Sequence, residues 1–184
     1  MPATEIEKKI ATAKRYTKLV ECYRGVLEDE DIYDLGYVVD ANEKYILLHL
    51  VDDRITLNGY SVLHVSDLTE IELEVDHARF IEKALEIRKK EIKKPALVDL
   101  SDITTVLSSI DQHFPLMSIH REAHDPDTCW VGAIDSLCDK TVLLNEMSAD
   151  AKWEGTKRIH LDEISRVDFD GGYETALALV AKIR

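Results

Sequence analysis

The chain has 184 residues, 45% hydrophobic and 32% charged, which is enough apolar material for one ordinary core or two small ones and argues against disorder. Its 36 acidic residues outnumber 23 basic ones, and a net charge of −13 opposes a phosphate backbone over most of the surface. No apolar run approaches the length of a membrane span, and the opening residues MPATEIEKKI lack the basic-then-apolar layout of a signal peptide, so a cytoplasmic protein without a membrane partner is expected.

In chain order, Thr4 and Glu7 have capping-box spacing, and Ile6, Ile10 and Ala13 fall on one face, which predicts a helix over residues 4–16. Short β-favouring runs follow at 18–27, 36–40, 44–51, 54–65 and 68–74, separated by Asp, Asn and Gly. Phe80, Ile81, Ala84, Leu85 and Arg88 then return to helical spacing and lead into a Lys-rich end. Lys93, Lys94 and Pro95 close this unit, because proline disfavours helical geometry at the residue before it.

The pattern then starts again. Leu100, Ile103, Leu107 and Ile110 follow Asp99 at helical spacing, and Tyr173, Ala176, Leu177 and Val180 follow Gly171 and Gly172. An ungapped shift of 96 positions superimposes Gly36 on Gly132, Lys44 on Lys140, Leu47 and Leu48 on Leu143 and Leu144, Gly59 on Gly155, and His64 on His160. With Asp29 on Asp125 and Asp31 on Asp127, this makes eight identities across positions 29–73, and the conservative matches alternate as strand core faces require. The reading is an internal duplication, with a first repeat over 1–95 and a second over 96–184. The expected fold class is mainly β with flanking helices (α+β), as two tandem small antiparallel barrels. A single continuous β-sheet domain is the structural alternative.

A helix followed by five short strands, with Gly-Tyr-Val-Val-Asp at 36–40 and Lys-Tyr-Ile-Leu-Leu-His-Leu at 44–50, resembles the Sm-like family of small SH3-type barrels. In that family the second strand opens with Gly, an acidic turn follows, and a Gly in the fourth strand precedes a short apolar fifth strand. Gly36, Asn42, Glu43, Gly59 and residues 68–73 occupy such places, as do Gly132, Asp139, Gly155 and residues 164–169. The resemblance implies a small barrel and an RNA-binding role. The chain departs from the pattern at the family's RNA pocket. The expected Asn falls near Tyr45 or Thr141, and Asn58 and Glu154 replace the basic residue before the fourth-strand glycine.

Residues with chemical potential are few. His64 and His160 recur in both repeats, with Asp67 and Glu163 placed three residues on to accept a hydrogen bond, but no nucleophile accompanies either. Arg88, Lys89, Lys90, Lys93 and Lys94 form the one dense basic run, a place for phosphate contacts or a solvated helix end. These seven residues are the tentative binding positions. His113, His120, His124, Cys129 and Cys138 match no zinc spacing and read as ordinary surface groups, the three cysteines as reduced thiols. The acids Glu28, Asp29, Glu30, Asp31, Asp52 and Asp53 read as solvated turns, and Trp130 and Trp153 as core or, alternatively, a stacking platform. The expected function is therefore a non-enzymatic binding or scaffold protein whose ligand is a protein or peptide, with no cofactor and no metal. The alternatives are an Sm-like RNA-binding protein and an enzyme using His64 or His160.

Overall fold

The computed structural model describes residues 4–27, 32–95 and 97–183, so the acidic run at 28–31, with the matched Asp29 and Asp31, lies outside the described residues. The chain divides into two compact units, Met1–Pro95 and Ala96–Arg184. Among the described residues it forms ten strands and four α-helices, an α+β protein whose strand pairings are antiparallel.

The first unit opens with α1 (Glu5–Tyr16), started by the expected capping box: the Glu7 amide donates to Thr4 Oγ1 and the Thr4 amide to the Glu7 carboxylate. Thr17, in the left-handed region at φ 50°, ends it. The strands are β1 (Leu19–Arg24), β2 (Tyr33–Ala41), β3 (Tyr45–Val51), β4 (Leu57–His64) and β5 (Leu68–Glu72), and they are followed by α2 (Ala78–Ile87). Their order across the sheet is β5-β1-β2-β3-β4. Ile10 and Ala13 of α1 pack with Val20, Val38, Ile46, Leu48, Leu63 and Ile71, while Ile81 and Leu85 of α2 pack with Leu19, Tyr37 and Val51. Each helix thus covers a different set of strand residues, as the period-two alternation of side chains requires.

The second unit repeats this order. It comprises α3 (Ile103–Asp111), β6 (Met117–His120), β7 (Cys129–Leu137), β8 (Thr141–Met147), β9 (Trp153–His160), β10 (Arg166–Phe169) and α4 (Gly172–Ala181), with strands ordered β10-β6-β7-β8-β9. The helix α3 starts later than the sequence suggests. Asp99 spends its carboxylate on the Ser101 amide and hydroxyl, and Asp102 is the residue that caps the helix through the Thr105 amide.

The correspondence reaches fine detail. β2 and β3 shift register between Val38 and Asp40, and β7 and β8 do so between Ile134 and Ser136. A Cβ on Gly36 would lie 2.6 Å from the His49 carbonyl oxygen, and one on Gly132 would lie 2.2 Å from that of Asn145. Both glycines therefore mark a close backbone approach at the same strand position. The turn after β4 begins at His64 with φ −74° and ψ 131°, and the turn after β9 at His160 with φ −75° and ψ 134°.

One expectation is corrected. Among the described residues β4 does not pair with β5, nor β9 with β10, so neither sheet closes into a barrel. Val65–Asp67 and Leu161–Glu163 each form a single 3₁₀ turn, leading from β4 to β5 and from β9 to β10.

Candidate functional site: an open sheet edge

The histidines expected to act are held differently in the two units. The ring of His64 tilts against Tyr45 with centroids 4.8 Å apart, and its Nε2 is buried without a hydrogen-bond partner among the described residues. His160 is exposed and lies opposite Thr141. Neither expected carboxylate accepts from its histidine. Asp67 takes the Ser66 hydroxyl, and Glu163 takes Arg121 Nη1 at 2.5 Å, a hydrogen bond that lowers the Glu163 pKa. Sequence spacing suggested these pairs, but the intervening 3₁₀ turns aim the acids elsewhere.

The basic run is dispersed. Arg88 Nη1 donates to the Arg54 and Ile55 carbonyls at 2.6 Å, tying the β3–β4 loop to the end of α2. Lys93 pairs with Glu91 at 2.9 Å, and Lys94 pairs with Asp40, which also holds Lys14 at 2.5 Å. Lys89 and Lys90 remain exposed, with Lys89 in the left-handed region at φ 54° where the helix ends. Arg88, Lys93 and Lys94 are thus paired with carbonyls and acids of the first unit.

His49 is a residue that the sequence did not single out. It stacks on Tyr60 with ring centroids 4.4 Å apart, its Nδ1 accepts the Lys93 amide at 3.3 Å, and burial pushes its pKa down to about 4. An unfolded chain would bind a proton there near pH 6.5, so the stabilising neutral form is fully in place above that pH and is lost as pH falls toward 4. The expected result is a stability loss on the order of 2 kcal/mol across that window, flattened in His49→Gln and read by denaturant titration at stepped pH.

In the second unit a polar network binds β6, β10 and the segment after β6. Arg166 lies 3.1 Å from Asp168 and 3.5 Å from Glu122, His120 Nε2 lies 3.1 Å from Asp168, and the Ser165 hydroxyl donates to Glu122 at 2.7 Å. Glu174 of α4 accepts from the buried Ser118. Arg166, Glu122, Asp168 and His120 thus hold β6, β10 and the segment after β6 together. His113 bonds the Ser109 carbonyl at 2.8 Å, Cys129 and Cys138 are exposed free thiols, and among the described residues no group of three or more His, Cys, Asp or Glu could hold a metal. Trp130 is 5% exposed, a core residue with Arg121 and Lys157 over its ring at 4.4 and 5.1 Å. Trp153 is 44% exposed and is not core.

Among the described residues, Trp153 opens the least covered strand. Seven of the eight residues of β9 are exposed or half-buried, whereas Gly59 to Leu63 of the corresponding β4 are buried. Among the described residues β9 pairs only with β8, so its other side is an edge. The Leu161 amide donates to the Lys140 carbonyl at 2.9 Å, which fixes the alternation of the antiparallel ladder. Ile159 and Lys157 therefore bond toward β8, and the amides and carbonyls of His160, Arg158 and Thr156 turn outward.

The pleat adds a defined face to that edge. Gly155 pairs with Glu146 and Trp153 with Met147, leaving Glu154 as an extra residue, and Gly155 takes φ +115° at this bulge. The bulge reverses the alternation, so Trp153 shares a face with Thr156, Arg158 and His160, all exposed. Leu143 lies opposite Arg158 on that face, which is why it is half-buried while the adjacent Leu144 is fully buried. A Cβ on Gly155 would meet nothing within 4 Å. The arrangement offers outward backbone donors and acceptors, an aromatic ring and a cation on one strand.

No protein-family model, curated protein or solved structure matches the chain.

Proposed function

We propose that the protein is a non-enzymatic binding or scaffold module whose ligand is another protein or a peptide, received as an added strand along β9. The observation that carries this reading is the outward row of Thr156, Arg158 and His160 backbone groups on an exposed edge strand. An extended peptide satisfies those groups with its own backbone and uses its alternate side chains for specificity. Charged side chains and a glycine bulge are also the devices that stop an edge from pairing at random, so the edge is selective rather than adhesive.

The same reading takes the two units as an internal duplication of an Sm-like, SH3-type strand arrangement, in the cytoplasm. Support for the duplication comes from the matched bulges and the Gly36 and Gly132 approaches, and support for the family layout from the strand order within each unit. RNA binding is the less favoured reading, because the chain carries −13 and Arg88 and Lys94 of its basic run are held by carbonyls and Asp40 of the first unit.

Thr156→Pro tests the function. Proline removes an outward amide and none that bonds β8, so the fold should survive, as edge strands tolerate proline. Proteins retained by the wild-type chain from a nuclease-treated native extract should be lost with the variant at unchanged thermal stability. Equal retention by both chains would remove the edge from the account.

A further inference from the structure

The side chains of the β9 face specify more than a generic strand. Arg158 and His160 project from it, Lys152 is exposed just before it, and Trp153 stands 44% exposed at its start. In a chain of net charge −13 this is a local reversal of sign. Lys157 points to the opposite face, over Trp130 at 5.1 Å, and takes no part.

Resting on the reading above, we infer that the strand accepted by β9 is an extended acidic segment of a partner protein, with a carboxylate opposite Arg158 and an apolar or aromatic residue opposite Trp153. The spacing follows from the register. The bulge absorbs one residue, so Trp153 and Arg158 stand two pleat repeats apart on one face, and an antiparallel partner must carry its acid four positions before its apolar residue. The residue opposite Thr156 on the same face has only a small polar neighbour and can be β-branched.

Glu154 argues for a peptide over a nucleic acid. It is exposed within the bulge, between Trp153 and the basic end of the strand. A peptide can set a neutral residue near Glu154 and an acid near Arg158, whereas a polyphosphate brings charge to both, under the repulsion of the whole chain. The outward amides and carbonyls also match another peptide backbone in spacing and polarity.

The test uses the full chain and two fluorescein-labelled peptides, Ac-Thr-Glu-Thr-Val-Thr-Phe-Thr-NH₂ and the same peptide with Lys in place of Glu, titrated by anisotropy at low and physiological salt. The acidic peptide should bind at least about fivefold more tightly than the basic one, a ratio that shrinks with salt. Arg158→Glu should invert the preference, Trp153→Ala should weaken both peptides alike, and Thr156→Pro should abolish both. If the two peptides bind equally and only Thr156→Pro matters, the edge remains a binding site and the acidic specificity is wrong. No binding of the acidic peptide by the wild-type chain overturns the inference. So does tighter retention of polyuridylate than of the peptide, or a self-association in sedimentation that Arg158→Glu removes, which would make a second copy the occupant.

Discussion

Gly132→Val is expected to destabilise the second unit by about 3 kcal/mol or more. A Cβ at this position would sit 2.2 Å from the Asn145 carbonyl oxygen and 2.9 Å from Leu144 Cγ, and the first of these is backbone that cannot swing aside. Overpacking a tight site costs about 1–3 kcal/mol even where side chains can repack, and here β7 and β8 must part. A loss of 3 kcal/mol or more, in ~5–15 kcal/mol of total stability, should be visible as a collapsed thermal transition and lost dispersion of β7 and β8 amide signals. Gly155→Ala is the contrasting variant: its Cβ meets nothing, so the cost is backbone strain of about 1–3 kcal/mol from φ +115°. A Gly132→Val chain as stable as wild type would show that the close β7–β8 approach is not what the glycine provides.

Leu48→Asp should be nearly as damaging to the first unit. Leu48 is fully buried among Ile10, Ala13, Val38, Ile46 and Leu63, so a carboxylate there enters an apolar cluster with no partner. The expected cost is about 4 kcal/mol or more, read by urea denaturation. Leu143→Asp in the second unit should cost well under half of that, since Leu143 is only half-buried on the face that carries Arg158. Equal penalties at the two positions would contradict the half-buried setting of Leu143, whose counterpart Leu47 is fully buried.

That asymmetry marks the limit of what could be read from the chain alone. The sequence match pairs Leu47 with Leu143 and suggests burial of both, yet Leu47 is buried on both counts of sheet and cover while Leu143 is not. Local signals were reliable where one short stretch decides the outcome. The Thr4 and Glu7 capping box and the helices α2 and α4 appear as expected, although of the four residues that marked the spacing of α4 only Leu177 is buried. Asp99 and Asp102 show the ambiguity of such signals, since either can cap, and the Asx turn at Asp99 takes the first. Recurrence of Gly36 and Gly132 was legible because a close backbone approach admits one residue type.

What escaped the sequence is long-range. Glu122, Ser165, Arg166 and Asp168 meet only because β10 returns beside β6, and no local pattern announces it. Barrel closure is likewise a matter of edge pairing between strands far apart in the sheet, which alternation does not encode. The β9 edge was half legible. Trp153 and Gly155 stood out as residue types, but the bulge that turns Trp153 onto the face of Arg158 comes from an extra residue in the register, visible only against β8.

Amide hydrogen exchange of the chain, free and with its captured partner, tests the role of β9 most directly. In the free chain the amides of Thr156, Arg158 and His160, which point outward, should exchange fast, and those of Lys157, Ile159 and Leu161, which face β8, slowly. Partner binding should slow the first set by at least about tenfold and leave the second unchanged. Protection that appears elsewhere in the chain, with the outward amides of β9 exchanging as fast as before, would contradict strand addition at this edge.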